Sequence, residues 1–183
     1  MAELERIHEE TPSTTVKWQV QLSDLLTSSS PTSKVALVGV GHPFRGDDYV
    51  GSFIIKTLMN ECRAESIGFF DAEDGVEMAV SRIAKFRPKH VLFIDACEMN
   101  ASPGHVALIS VADTNYPFFT THGIPLKLLA SQFLSDSEVR VLAIQPEHME
   151  VGDHLSPRVN DSAAYISSFI AATLKEADHA NGN

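Results

Sequence analysis

The segment that most constrains this chain is an apolar run over residues 34–40 that leads into a glycine-rich turn. The run has the near-continuous apolar pattern of a strand buried on both faces, which is typical of parallel sheets. The turn then presents two adjacent acids, Asp47 and Asp48. Carboxylates at the end of a buried strand cost free energy unless a cation, water or hydrogen-bond donors meet them. The segment therefore predicts a metal-binding or acid–base role at the mouth of a sheet.

Strand and helix patterns alternate through the rest of the chain. Further strands are predicted at 66–70, 90–94, 105–111 and 138–144. This alternation predicts an α/β fold, a three-layer sandwich in which a twisted sheet of about five strands is mostly parallel, has one antiparallel strand and carries helices on both faces. The tight turn at 100–104 predicts that the third and fourth strands are antiparallel neighbours, because a parallel crossover needs a longer connection. Helices are predicted over 50–62, 76–86, 125–133 and 159–174.

The chain of 183 residues is long enough for one domain with a continuous core. We expect residues 1–33 to form an N-terminal extension, with a short helix over 14–27 and a Ser/Pro-rich linker. Residues 34–175 would form the α/β domain. The polar residues 176–183 are expected to be a disordered tail.

Charge and composition exclude several classes of partner. The net charge of −10 argues against nucleic acid and anionic membranes. No apolar run is long enough to cross a bilayer, and the charged N-terminus lacks the apolar core of a signal peptide. Two cysteines, Cys62 and Cys97, do not make a disulfide framework. We therefore expect a cytoplasmic protein without membrane insertion.

Acidic side chains follow three of the predicted strands. In such a sheet ligands bind beyond the carboxyl ends of the parallel strands, where Asp48, Asp71 and Asp95 fall, and a later loop adds His122. Carboxylates with one imidazole make a hard donor set that suits zinc, nickel or manganese better than copper(I). Each residue also has a plainer interpretation, because aspartates at strand ends often form turns or cap helices and loop histidines are often solvated.

Other patterns are weaker candidates for a site. Gly39 and Gly41 suggest a dinucleotide turn, but the third glycine of that motif is replaced by Phe44. Residues 148–154 are rich in metal-ligand types, although a solvated loop explains them as well. Cys97 has no obvious base partner and fits a small buried side chain.

Five motifs in fixed order between residues 39 and 147 give the chain a family resemblance, which covers residues 15–175. The sequence resembles the hydrogenase maturation endopeptidases, the nickel-dependent processing proteases, and within them the branch that serves hydrogenase-3-type and archaeal hydrogenases. The motifs are Gly-Val-Gly-His-Pro-Phe-Arg-Gly-Asp-Asp at 39–48, Phe-Ile-Asp-Ala at 93–96, Pro-Gly at 103–104, Thr-Thr-His-Gly-Ile-Pro-Leu at 120–126 and Ile-Gln-Pro-Glu at 144–147.

The resemblance implies an α/β sandwich and a specific activity. Members cut a C-terminal extension from the [NiFe]-hydrogenase large-subunit precursor after nickel insertion, so the partner is that precursor and it carries the nickel. The metal-binding positions of the family fall on Asp48, Asp95 and His122. The acid that assists nickel-dependent recognition or cleavage falls on Asp71. The resemblance thus implies a metal-dependent, aspartate-type endopeptidase whose site also accepts cadmium or zinc in vitro.

The chain departs from the family pattern at three places. His42 stands where the family usually has Asn, and it is either an extra ligand or a turn residue. Tyr49 replaces a glycine and would resist a positive φ. The glycine-rich stretch after the second strand is here Asp-Ala-Glu-Asp-Gly at 71–75.

The apolar loop at 116–119 either docks the precursor or packs in the core. The alternative function is a non-catalytic nickel-checking or metallochaperone module with the same ligands.

Overall fold

The computed structural model describes residues 15–73, 75–112, 120–121, 124–125 and 135–181. The helices are α1 (Thr15–Thr27), α2 (Val50–Glu61), α3 (Val76–Phe86) and α4 (Pro157–Asn181), and a short 3₁₀ helix spans Gly46–Tyr49. The strands are β1 (Val35–Val40), β2 (Ile67–Glu73), β3 (His90–Ala96), β4 (Val106–Ser110), β5 (Thr120–Thr121), β6 (Ile124–Pro125) and β7 (Glu138–Ile144).

Five of these strands form one sheet in the order β2-β1-β3-β7-β4. The pairs β1–β2, β1–β3 and β3–β7 are parallel, and β4 runs antiparallel to β7. This confirms the predicted α/β fold with one antiparallel strand. Among the residues that the structure describes, the short β5 and β6 pair with each other in a separate two-stranded sheet.

The prediction that the third and fourth strands are neighbours is wrong, because β7 lies between β3 and β4. Residues 97–105 connect these two strands, and that connection need span only about 10 Å, or two strand spacings. The middle position goes to β7 because its residues 141–144 are apolar and fully buried, which suits a strand with neighbours on both sides.

Successive side chains of the central strands enter opposite layers of the core. Leu37 of β1 and Leu92 of β3 pack in the layer that also holds α1, α2 and α4. Val38 and Phe93 pack in the layer that holds α3. The alternation follows from the two-residue period of a strand, and it places helices on both faces of the sheet. The helix predicted over 125–133 lies outside the described residues beyond Pro125.

Both ends of the described chain are helical, which confirms the short helix predicted over 14–27 but not the disordered tail predicted from residue 176. The apolar stripe of α1, which includes Leu22 and Leu26, is buried in the core, and the Trp18 ring meets the Phe169 ring of α4 edge to face at 5.7 Å. Residues 15–27 therefore share the core of the α/β domain. At the other end, α4 continues to Asn181, so residues 176–181 are helical rather than disordered. Lys, Glu and Ala in this segment are good helix formers, which explains the extension.

The four parallel strands end at one edge of the sheet, which we call the carboxyl edge. β1 leaves the sheet there through a register shift between Gly39 and Val40, and the Gly41 N–H donates to the Glu73 carbonyl at 2.8 Å. The turn after β1 therefore lies over the ends of β2 and β3. Within the part of the chain that the structure describes, no helix is long and apolar enough to cross a membrane.

Candidate active site

Asp48 is held at the carboxyl edge by the glycine turn. Gly41 has φ +128°, and a Cβ added to it would lie 1.6 Å from the Asp48 carbonyl oxygen, so only glycine fits this approach. The His42 N–H donates to Asp48 Oδ2 at 2.9 Å. The Asp48 residue is only 4% exposed. The turn therefore aims a buried carboxylate at the end of the sheet.

Asp95 forms the second half of the site. It lies at the end of β3 and is also buried. Burial, and then the negative charge of Asp48, raise the pKa of Asp95 to about 8, while a hydrogen bond from the Ala96 N–H acts in the opposite direction. The two acids predicted as metal ligands are therefore close enough to interact electrostatically. Such a pair is costly when both acids are ionised, and a bound cation relieves that cost.

Asp47 is adjacent to Asp48 but binds the backbone of another loop. Its carboxylate accepts hydrogen bonds from the Glu147 N–H at 2.8 Å, the His148 N–H at 2.9 Å, and both the N–H and the hydroxyl of Ser156 at 2.6 and 2.9 Å. Burial acts to raise the pKa of Asp47, but these hydrogen bonds outweigh it and lower the pKa. Asp47 therefore anchors the loop after β7.

Asp71 is engaged apart from the buried pair. In the sheet it lies opposite Gly39 of β1, whose other partner is Ile94 of β3, so one strand separates it from Asp95. Its Oδ2 lies 3.1 Å from Lys56 Nζ. The structure thus places Asp71 one strand away from Asp95, in an ion pair with Lys56.

His122 lies outside the described residues, as does the apolar loop at 116–119. The structure therefore brings together two of the three predicted metal ligands. Among the described residues, no group of three or more His, Cys, Asp or Glu side chains could hold a metal ion. Within that part of the chain, the carboxylate pair is the candidate half-site for a cation.

The second ligand-rich segment, residues 148–154, is a solvated loop. The side chains of His148 and His154 are 75% and 85% exposed, and His154 pairs with its neighbour Asp153. The backbone of the loop supports the site, because the His148 carbonyl accepts from the Asp47 N–H and the Gly152 carbonyl accepts from the Gly46 N–H, both at 2.9 Å. This segment frames the 3₁₀ helix rather than forming a metal centre.

The cysteine near the site is poorly suited to nucleophilic attack. Burial, and then the charge of Asp95, raise the pKa of the Cys97 thiol far above its ordinary value. Since the thiolate is the nucleophilic form, Cys97 stays an unreactive thiol near neutral pH.

Two of the departures from the family pattern cause no distortion. His42 Nδ1 accepts a hydrogen bond from the Phe44 N–H at 3.2 Å, which supports its interpretation as a turn residue. Tyr49 has φ −70° and ψ −8°, a right-handed conformation that any residue adopts, so the chain needs no glycine there.

The glycine turn does not form a phosphate cradle. The amides of Gly41 and His42 donate to the Glu73 carbonyl and to Asp48. A Cβ on Gly39 would lie 2.3 Å from the Gly51 carbonyl oxygen of α2, so this glycine serves close helix–sheet packing. The engaged amides argue against the nucleotide-binding alternative.

Known proteins are similar to this chain in both sequence and fold. The hydrogenase 3 maturation protease of Escherichia coli strain K12 is 34% identical over 116 residues, which are 61% of this chain and 72% of that protein. The chain belongs to the hydrogenase maturation proteases. The solution structure of the endopeptidase HycI from Escherichia coli aligns with a TM-score of 0.64 at 26% identity, over 76% of this chain and 90% of that one.

A further solved structure supports the fold of this hydrogenase maturation protease. The crystal structure of the [NiFe] hydrogenase maturation protease HycI from Thermococcus kodakarensis KOD1 aligns with a TM-score of 0.76 at 24% identity, over 85% of this chain and 99% of that one. No family model matches the chain. Membership makes the protein a peptidase.

Sequence reasoning missed several residues that build the site of this protease. Ser156 supplies two of the hydrogen bonds to Asp47. Gln145, which is buried, accepts from the Met99 N–H at 2.7 Å and donates to Glu98 at 2.9 Å, so it fixes the segment after β3. Lys56 holds Asp71. Gln145 lies in one of the family motifs, but Ser156 and Lys56 lie in no motif, and only the folded chain reveals their partners.

Proposed function

We propose that this protease removes a C-terminal extension from the large-subunit precursor of a [NiFe] hydrogenase, and that it acts once nickel is in the precursor. The observation that carries the proposal is the buried pair of Asp48 and Asp95 at the carboxyl edge of the sheet. The relatives named above are hydrogenase maturation proteases, which supports hydrogenase maturation as the process.

The carboxylate pair suits a cation that arrives with the substrate. Two buried acids, one with a pKa raised to about 8 by burial and the charge of the other, hold a proton that a divalent ion would displace. In the proposal, Asp48, Asp95 and His122 contribute ligands to the nickel ion of the precursor. Nickel binds carboxylate and imidazole donors well.

The cleavage step in this proposal depends on the completed coordination. Nickel held between the precursor and the pair would act as a Lewis acid at the scissile carbonyl and fix its position. A precursor without nickel leaves Asp95 protonated and the ligand set incomplete. Processing is therefore coupled to successful metal insertion, and Asp71 would act at the flank of the same site.

The test is the mass of the precursor after incubation with the purified protease. We expect the nickel-loaded precursor to be shortened and the nickel-free precursor to remain intact. Asp48→Asn and Asp95→Asn should reduce the rate at least about a hundredfold. Asp153→Asn is the matched control, since its side chain is 72% exposed in the loop after β7, and it should keep the full rate.

The remaining outcomes separate this proposal from its alternative. A precursor that binds the protein in a nickel-dependent way but keeps its full mass would indicate the non-catalytic nickel-checking module. Equal shortening with and without nickel would contradict the role of the metal.

A further inference from the structure

Two residues that differ from the family pattern, Glu73 and Tyr49, contact the same ammonium group, that of Lys56. Lys56 of α2 places its Nζ 3.1 Å from Asp71 Oδ2 and 3.0 Å from Glu73 Oε1. The same Nζ lies 5.2 Å from the centroid of the Tyr49 ring. By the resemblance, Glu73 lies in the segment that stands at the family's glycine-rich stretch, and Tyr49 stands at the family's glycine after the acid pair. The two unusual residues are therefore contacts of the same ammonium group.

We propose that Lys56 is a positioning residue for the processing reaction, which holds the carboxylate of Asp71 in one orientation at the flank of the site. This inference rests on the proposed function. Both oxygens of Asp71 are engaged, since Oδ1 accepts from the Glu73 N–H at 3.3 Å and Oδ2 pairs with Lys56. The Asp71 side chain is only 16% exposed, so solvent screens this pair less than it screens a fully exposed one.

The backbone is shaped to bring Glu73 to the same cation. Glu73 has φ +47°, a backbone conformation that a residue other than glycine adopts only at a cost in free energy. It follows the register shift between β1 and β2, and its carbonyl accepts the Gly41 N–H. A strained residue persists where its surroundings fix it, and such residues cluster at functional sites. In this conformation, at the last residue of β2, the Glu73 carboxylate meets Lys56.

The chemistry of Lys56 fits positioning rather than proton transfer. Burial acts to lower the pKa of Lys56, but hydrogen bonds to Glu73 and Asp71 outweigh it and raise the pKa well above its ordinary value. The amine therefore stays charged and is neither a base nor a nucleophile.

The surroundings of Lys56 also point to orientation rather than stability. Partly exposed ion pairs contribute little to the free energy of unfolding, so the ion pairs of Lys56 with Asp71 and Glu73 add little to stability. Through the Tyr49 ring, Lys56 also contacts the residue next to Asp48. It thus links the orientation of Asp71 to the segment that holds Asp48.

The experiment compares Lys56→Met, Lys56→Arg and the wild-type protease on the nickel-loaded precursor. We expect Lys56→Met to lower kcat about tenfold with KM within about twofold, because a displaced carboxylate affects the reaction more than binding. Lys56→Arg should restore most of kcat, because guanidinium also pairs with two carboxylates. Lys34→Met is the control, since Lys34 Nζ lies over a ring as well, 4.8 Å from the centroid of Phe86, but directly before β1, at the end of that strand opposite the carboxyl edge. It should keep the wild-type kcat.

A double variant tests whether Lys56 acts through Asp71. We expect Lys56→Met combined with Asp71→Asn to be no slower than Asp71→Asn alone, since the lysine has then lost its partner. Multiplicative losses in the double variant, or a Lys56→Met enzyme that melts lower while each folded molecule retains full kcat, would overturn the inference. A wild-type protein that never shortens the precursor would instead refute the proposed function.

Discussion

The carboxyl groups of Asp48 and Asp95 share a buried position at the end of the sheet, and the charge of Asp48, after burial itself, raises the pKa of Asp95 to about 8. Asp48 reaches this position through the glycine turn after β1, whereas Asp95 reaches it directly at the end of β3. Two segments far apart in sequence thus bring two interacting carboxyl groups together. The protonation of Asp95 has consequences that can be measured.

The stability of the protein should fall with rising pH because of Asp95. The folded-state pKa of Asp95 is raised from 3.8 to about 8, so the native state holds a proton that the unfolded chain releases. Stability linked to this group is complete below about pH 4 and is lost as the pH rises to about 8. Asp95→Asn removes the penalty and should stabilise the protein by about 2–4 kcal/mol at pH 8, and by much less at pH 5.

Urea unfolding of Asp95→Asn and wild type at both pH values checks this prediction, and Asp153→Asn serves as the exposed control. The same difference in free energy of unfolding at pH 5 and pH 8 would show that Asp95 does not hold the proton.

Divalent cations should bind the free protease at the same pair. Nickel, zinc or cadmium should displace the Asp95 proton, so each ion bound releases protons and binds more tightly at pH 8 than at pH 6. Calorimetry in two buffers of different ionisation heat measures the proton release. Asp48→Asn and Asp95→Asn should weaken binding at least about tenfold, whereas His154→Ala in the exposed loop should not. Weaker binding in the loop variant alone would move the cation site to residues 148–154.

Asp47 should contribute to stability rather than to the reaction itself. Asp47→Ala removes an acceptor of four hydrogen bonds and leaves the amides of Glu147, His148 and Ser156 without this partner. We expect a loss of about 2–4 kcal/mol in the free energy of unfolding. Chemical denaturation measures the loss, with Asp153→Ala as the control for an exposed acid of the same loop. A loss below about 0.5 kcal/mol would contradict the anchoring role.

The glycine turn should tolerate no side chain at residue 41. Gly41→Ala would place a Cβ 1.6 Å from the Asp48 carbonyl oxygen at φ +128°. We expect a loss of about 3 kcal/mol or more in the free energy of unfolding, or a failure to fold. Gly75→Ala is the control, because its Cβ would meet nothing nearer than 3.7 Å and its φ is −114°. Equal effects of the two substitutions would contradict the close approach.

Much of the fold follows from the sequence, because the strands of the main sheet and the helices around it have local apolar patterns. The alternating apolar patterns predict β1, α2, α3, β3 and β7 within a residue or two of their observed bounds. The order of the strands depends instead on contacts across the whole chain. The short link between β3 and β4 therefore suggested a hairpin, while the insertion of β7 between them depends on burial that no local window shows.

The candidate site was predictable in part. Acids at strand ends predict Asp48 and Asp95 at one edge, and the structure brings these two together. The same rule predicts Asp71 at this edge. In the structure its carboxylate forms an ion pair with Lys56 of α2. Lys56 carries no signal in the sequence, since it is one of several polar residues on the amphipathic helix α2. The role of His122 stays a prediction.

The most direct test of this account is the position of a cation in crystals of the protease soaked with nickel or cadmium. Anomalous diffraction locates such an ion without reference to the sequence. We predict a peak within coordination distance of one oxygen of Asp48 and one oxygen of Asp95, about 2.0–2.4 Å away, with His122 as a third ligand. A peak confined to the loop at 148–154, or none at the carboxylate pair when the pH is above the Asp95 pKa of about 8, would contradict the claim that this pair receives the metal.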